Sequence, residues 1–69
     1  MTPGMVARMI GMLQRGYAVQ FKANDRDEIV CHLFHGDREP ITAAHRHLWE
    51  AFQMAKQQAL AREDAEKQI

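Results

Sequence analysis

Five side chains that could bind a metal ion lie close together in the sequence: Cys31, His32, His35, His45 and His47. Zinc prefers thiolate and imidazole ligands, so this composition raises the question of a metal site. The spacing argues against one, because His32 and His35 would point to opposite faces of a strand. On a helix, His45 and His47 would lie about 200° apart around the axis. We therefore predict four independent histidines, no metal ligands and no cofactor.

The same residues contain the parts of a thiol–imidazole pair for nucleophilic catalysis. A lone cysteine on the apolar face of a strand is usually a small packed hydrophobic residue. A fold of this size also leaves little room for a substrate cleft. We predict no catalytic residues and no enzyme activity. Cys31 is the single cysteine of the chain, which excludes an internal disulfide and fits a reducing, cytoplasmic setting.

Length and charge limit the alternatives further. The chain has 69 residues, and nine Lys and Arg balance nine Asp and Glu. No apolar run approaches the roughly 18 residues that cross a bilayer, so we expect no membrane partner. A single domain of this size, residues 1–69, buries only about 60% of the surface that its unfolded chain exposes. We expect a second subunit to supply the missing stability, most simply as a twofold homodimer.

The two ends of the chain carry helix signals. Thr2 and Pro3 are typical of a helix start and Gly16 of a helix stop, which predicts a short helix over about 3–15. From about 40 to 67 the chain has no glycine and is rich in Ala, Leu, Gln, Glu, Lys and Arg, which predicts a long helix. Its apolar residues recur at three- and four-residue steps: Ile41, Ala44, Leu48, Phe52, Ala55 and Ala59.

Between the helices, alternation of apolar and polar residues predicts two strands, over about 17–23 and 28–35. Turn-forming residues at 24–27 join them as an antiparallel hairpin. The fold class is therefore α+β: a short helix, a two-stranded antiparallel hairpin and a long C-terminal helix. Both faces of the second strand are partly apolar, with Ile29, Cys31 and Leu33 beside His35 on one face, and Val30, His32 and Phe34 on the other.

The long helix would span roughly 42 Å, more than a chain this small can bury alone. We therefore expect part of this helix, together with one hairpin face, to contact a second subunit. The predicted dimer interface consists of Val30, Phe34, Leu48, Phe52, Ala55 and Ala59.

A basic stretch near the N-terminus supports an alternative function. Arg8, Arg15 and Lys22 occur without any acid in the first 22 residues, and such cations could contact phosphates. The order helix–hairpin–helix resembles double-stranded-RNA-binding modules. Those modules also have a third strand and a basic start to the last helix, and we expect neither here. A small nucleic-acid-binding regulator is thus the alternative function, with Arg8, Arg15 and Lys22 as its contacts.

Other features favour a protein partner. Trp49 lies near the centre of the largest apolar stripe, and the chain contains five methionines. Trp, Met and Arg are enriched at protein interfaces, and methionine-rich surfaces adapt to more than one partner.

Three segments carry a resemblance to a known family: Thr2-Pro3-Gly4 opening a Met-rich helix, the Tyr17–Phe34 hairpin, and the Ala/Gln-rich helix after Glu39-Pro40. In length and element order the chain resembles small early phage proteins, most closely the anti-quorum-sensing proteins of Mu-like phages of pseudomonads. The resemblance implies a homodimer in the cytoplasm of a bacterial host.

The resemblance also implies a function: inhibition of a host LuxR-type transcription activator, with a pilus-assembly ATPase as a further target. The inhibitor would sequester the activator by covering its basic DNA-binding surface. From their chemistry, acidic and interface-type side chains would serve as the partner-binding residues: Asp25, Asp27, Glu28, Arg38, Glu39 and Trp49.

Overall fold

The computed structural model describes residues 3–67. Thr2, the predicted helix cap, lies outside them. The chain is α+β, as predicted, but its sheet has three strands instead of two. The elements in chain order are α1 (Pro3–Gln14), β1 (Ala18–Ala23), β2 (Ile29–Phe34), β3 (Ile41–His45) and α2 (Leu48–Lys67).

The third strand corrects the prediction of one helix over 40–67. Ile41 and Ala43 are buried while Thr42 is exposed, which is the period of a strand. Ala43 and Ala44 have a high intrinsic helix propensity. The edge of β2 would otherwise be unpaired, and pairing of residues 41–45 with it outweighs that propensity. The helix begins at Leu48, and the carbonyl of the preceding residue, His47, accepts a hydrogen bond from the Ala51 amide.

The sheet is antiparallel with strand order β1-β2-β3, so β1 and β3 are its edges within the described chain. The Asn24 amide donates to the Glu28 carbonyl, which marks these two residues as a hydrogen-bonded pair. Bonded and non-bonded pairs alternate in such a ladder. The backbone groups of 18, 20 and 22 therefore point to β2, and those of 19, 21 and 23 point to the free edge. On β3 the same rule leaves only 42 and 44 pointing outward.

Both helices lie on one face of the sheet, which contains the core. Small alanines let α2 approach β2 and β3 closely, and Phe52 and Leu33 are the largest fully buried side chains of the shared core. α1 covers β1 and delivers Met12 to this core. The buried residues are Met12, Tyr17, Cys31, Leu33, Ile41, Ala43, Ala51, Phe52, Ala55 and Ala59.

Arg8 of α1 and Arg15, which directly follows α1, reach across to α2. The guanidinium of Arg8 lies 5.8 Å from the ring centroid of Trp49, in cation–π geometry. Nη1 of Arg15 lies 3.0 Å from Oε2 of Glu63. These contacts place α1 beside α2 and fix which flank of α1 faces it. Because the Arg15–Glu63 pair is largely solvent-exposed, it contributes only about 0–1 kcal/mol to stability.

Amide hydrogen exchange tests the third strand. The Ala43 amide points to β2 and should be protected, whereas the Thr42 and Ala44 amides point outward. We expect both to exchange about 100-fold faster than Ala43, since opening of the sheet is not needed to expose them. NMR measurement of individual amides gives the result. Uniform protection from 42 to 48 would instead indicate the continuous helix.

Candidate partner-binding surfaces

The face of the sheet opposite the helices is not covered by any element among residues 3–67. The strand registers align its side chains in three rows. We call this surface the open sheet face; its rows are Ala18 with Phe34, Gln20 with His32 and Thr42, and Lys22 with Val30 and Ala44.

The open sheet face is poor in charge and contains an aromatic centre. Lys22 is the single charged residue among its eight members. The rings of His32 and Phe34 stack with centroids 6.0 Å apart, and Phe34 is 36% exposed. Nδ1 of His32 lies at hydrogen-bond distance, 3.0 Å, from Oγ1 of Thr42, which orients the imidazole. Depletion of charge and enrichment of aromatic groups are typical of the centre of a protein interface.

The β1–β2 turn presents two exposed carboxylates next to the Lys22 row. Asn24 Oδ1 accepts hydrogen bonds from the backbone amides of Arg26 (2.9 Å) and Glu28 (3.0 Å). This Asn-stabilised turn holds Asp27 at φ 57°, a conformation that Asp tolerates. Asp25 and Asp27 are exposed. We call these two residues with their turn the acidic turn.

The other predicted partner-binding residues have contacts within the chain. Glu28 accepts a 3.2 Å hydrogen bond from Asn24 Nδ2. Arg38 forms a 2.7 Å ion pair with Glu66 on α2. The Glu39 carbonyl accepts a hydrogen bond from Arg62, and both Arg38 and Glu39 lie at the end of the sheet away from the acidic turn.

Trp49 lies between the helices and not on the open sheet face. Its ring packs on Phe52, with centroids 5.3 Å apart, and Arg8 lies over it. It is half-buried against the core. The six predicted residues therefore do not form one surface; Asp25 and Asp27 remain as a local pair.

The predicted dimer interface is also divided. Val30 and Phe34 lie on the open sheet face and are accessible, and Leu48 is half-buried. Phe52, Ala55 and Ala59 are fully buried against the sheet of their own chain. Their assignment to a second subunit is corrected, because the sheet with its third strand buries this stripe of α2.

The cations predicted for nucleic acid are not brought together. Arg8 lies over Trp49, and Arg15 pairs with Glu63 further along α2. Lys22 lies on the opposite side of the sheet from both. No single surface formed by residues 3–67 presents all three cations to a phosphate backbone.

The histidine pair near α2 was misjudged from the sequence. His45 ends β3 and His47 precedes α2, so the helical angle between them does not apply. Their ring centroids are 5.5 Å apart, and the His47 amide donates to Nδ1 of His45. Arg46 lies between them and is exposed, which gives α2 the basic start that the sequence prediction did not expect. Among residues 3–67, no group of three or more His, Cys, Asp or Glu side chains has metal-binding geometry.

The chain matches no protein-family model, and neither a curated protein nor a solved structure shows significant similarity to it. The resemblance to phage anti-quorum-sensing proteins therefore stays a prediction. Within the described part of the chain, no helix combines the length and hydrophobicity that spanning a bilayer requires.

Cys31 provides a test of the core beneath the site. It is fully buried on the helix face of β2, and burial raises the pKa of its thiol from 9.0 to about 11. The folded chain should therefore react very slowly with iodoacetamide at pH 8 and rapidly once unfolded. Because the unfolded thiol ionises first, the free energy of unfolding should fall as pH rises from 9.0 to about 11.

Cys31→Ala is the matched control for the pH dependence, since it removes the titrating group. Rapid alkylation of the native protein at pH 8 would show that the thiol is accessible and that this core is not closed.

Proposed function

We propose that this chain is a non-enzymatic protein-binding module that docks a partner protein on its open sheet face. The observation that carries the proposal is the composition of that face: eight accessible or half-buried positions, a central stacked His32–Phe34 pair, and one charge. A sheet face that is exposed to solvent normally carries charged and polar residues. An uncovered face that keeps Val30 and Phe34 is explained best by a partner that covers them.

The position of the acidic turn indicates the chemistry of the partner. Asp25 and Asp27 lie next to the Lys22–Val30–Ala44 row, so a partner seated on the sheet would meet them at its edge. A partner with an apolar patch bordered by basic side chains fits this arrangement. Complementary charges at the rim of an interface orient the partner and raise the association rate. The DNA-binding surface of a transcription activator has such basic side chains.

We further propose, on the family resemblance, that the partner is a host LuxR-type activator. The protein would be a phage-encoded inhibitor in the host cytoplasm that sequesters the activator stoichiometrically. A pilus-assembly ATPase is the second target that the resemblance suggests. Under this proposal the open sheet face would cover an apolar patch of the activator, and the acidic turn would meet the basic side chains at the rim of that patch.

Substitution of Phe34 tests the docking face. Phe34→Asp should weaken binding of the purified DNA-binding domain of a LuxR-type activator about 30-fold, since central aromatic residues contribute about 2 kcal/mol or more. Isothermal titration calorimetry gives the affinities. Met54→Asp is the control, because Met54 is 42% exposed on the solvent side of α2. Equal losses in both variants would contradict docking on the sheet.

A nuclease-treated pull-down from host lysate separates the general proposal from the specific one. If the activator domain does not bind but another host protein is captured stoichiometrically and released by Phe34→Asp, the activator proposal falls and the docking surface stands. If Phe34→Asp does not reduce the capture of any host protein, the protein-binding proposal fails.

Nucleic-acid binding is the second candidate, favoured by two corrections. The third strand is present, and Arg46 with its flanking histidines lies before α2, where the N-terminal end of the helix favours phosphate. The strand order thus agrees with the plan of double-stranded-RNA modules. The net charge of zero and the engagement of Arg8 and Arg15 with α2 weigh against this candidate.

An RNA duplex of about 16 base pairs decides between the candidates. Under the protein-binding proposal we expect nothing tighter than non-specific affinity, about 1–100 μM at physiological salt. Nanomolar affinity for the duplex would contradict the protein-binding proposal if Arg46→Glu weakens that affinity and reduces its salt dependence by about one phosphate contact. Nucleic-acid binding would then be the function. Arg26→Glu in the β1–β2 turn is the matched charge reversal.

A further inference from the structure

α1 exposes an apolar stripe on one flank. Val6, Ile10 and Leu13 are 43%, 45% and 52% exposed. They recur at the four- and three-residue steps of a helix and form a continuous row, which we call the α1 stripe. Exposed apolar rows of this kind mark interaction surfaces more often than exposed single residues do.

The α1 stripe faces away from α2. Side chains advance 100° per residue around a helix. Arg8 and Arg15 define the flank that contacts α2, and Met12 defines the side that faces the core. On this wheel the stripe lies roughly opposite the arginine flank. Because α1 covers β1 while α2 covers β2 and β3, the stripe lies on the β1 side of the molecule.

The edge of β1 on that side is open for strand pairing. Val19, Phe21 and Ala23 direct their backbone groups outward, and the strand has no proline. Proteins usually protect such edges with proline, charge or short length, and β1 has one such charge, Lys22, whose backbone groups point to β2. β3 has this protection: it is shorter, follows Pro40, and directs only Thr42 and Ala44 outward.

We propose that a second copy of this chain covers this side, by antiparallel pairing of β1 with the β1 of the copy around a twofold axis. The axis is normal to the sheet and passes beside Phe21. The two sheets join into one, and the two α1 stripes face each other across the axis. One symmetry operation thus covers both the open edge and the apolar helix flank.

The register follows from the outward groups. With Phe21 opposite Phe21, Val19 lies opposite Ala23, and all outward backbone groups of both strands are paired. On the open sheet face this register sets Gln20 opposite Lys22, where the amide oxygen can accept a hydrogen bond from the ammonium group. A shift by one pairing position in one direction would leave Ala23 opposite Tyr17, whose amide already donates to the Met12 carbonyl. A shift in the other direction would set Lys22 opposite Lys22, and like charges directly opposite are destabilising.

The charge distribution selects a second copy as the occupant. Arg8 is the single charged residue of α1, Arg15 directly follows the helix, and both are turned to α2. The stripe therefore brings no like charges together when it meets itself, as an isologous interface requires. A membrane surface would instead call for Lys or Arg along the stripe flank, and α1 has none there.

Pairing at β1 leaves the open sheet face uncovered and doubles it. The joined sheet presents two copies of the His32–Phe34 centre on one side and all four helices on the other. The proposed docking centre at His32 and Phe34 and the proposed dimer contacts of the α1 stripe use different residues, and only Gln20 and Lys22 at the edge belong to both surfaces. Substitutions at Phe34 and at Ile10 therefore separate docking from dimer formation.

Sedimentation equilibrium tests the proposal on the full chain. We expect a dimer of twice the 8.0 kDa chain mass at micromolar concentration. Ile10→Lys should raise the dimer dissociation constant by about 100-fold or more, because twofold symmetry buries the new charge twice. Met54→Lys is the matched control at a similarly exposed apolar helix position, and it should leave the dimer unchanged.

Disulfide trapping tests the register. In the proposed pairing Gln20 and Lys22 are a non-hydrogen-bonded pair with Cα atoms about 4.5 Å apart, within disulfide range. Chains carrying Gln20→Cys, mixed with chains carrying Lys22→Cys, should form a mixed disulfide dimer under mild oxidation. Gln20→Cys mixed with Thr42→Cys, on the far edge of the same face, should not. Cys31 is fully buried and does not compete.

Hydrogen exchange keeps the proposal testable if a variant loses its fold. In the wild-type chain the amides of Val19, Phe21 and Ala23 should gain protection as concentration rises through the dimer range, while Thr42 and Ala44 stay unprotected. A monomer at 100 μM or above would overturn the proposal. So would a dimer that Ile10→Lys leaves intact, or one in which β3 amides gain the protection.

Discussion

The structure depends on burying one face of β2 beneath α2. Cys31 and Leu33 of β2 and Phe52 of α2 have no exposed surface and belong to one core cluster. The alanines at 51, 55 and 59 allow this approach, because a larger side chain would hold the helix away from the sheet. Without that contact the sheet would expose its apolar face and α2 would be an isolated helix, which is marginal in water. The open sheet face is the reverse side of this contact and is positioned by it.

The same contact explains why β3 forms. β2 can be buried on one face only if its backbone groups are satisfied on both edges, since unpaired buried amides are costly. β1 pairs with one edge, and residues 41–45 pair with the other. Ile41 and Ala43 then complete the buried layer under α2. The alanines at 43 and 44 would join a helix readily in isolation, and the sheet determines otherwise.

Alternation along β2 also creates the candidate site. Because successive residues point to opposite faces, the burial of Cys31 and Leu33 places Val30, His32 and Phe34 on the other side. That side receives no helix, since both helices pack on the first. Among residues 3–67 no further element covers it. The apolar residues of this one strand are therefore divided between the core on one face and the open sheet face on the other.

The sequence alone determined the hairpin, the end of the first helix and the two apolar faces of β2. The turn residues at 24–27 and the period-two alternation predicted the hairpin, and Gly16 marked the end of the first helix. The apolar character of both faces of β2 predicted that one face would pack on the helices and that the other could meet a partner. These features are local: they depend on neighbours in the chain and on steric rules that hold in any context. The tertiary structure decided which side of β2 became the core, that Phe52, Ala55 and Ala59 face the sheet and not a second subunit, and that Arg8 and Arg15 turn to α2. It also decided that residues 41–45 extend as a strand, because a segment that suits either structure adopts the one whose hydrogen bonds and buried area the rest of the fold completes.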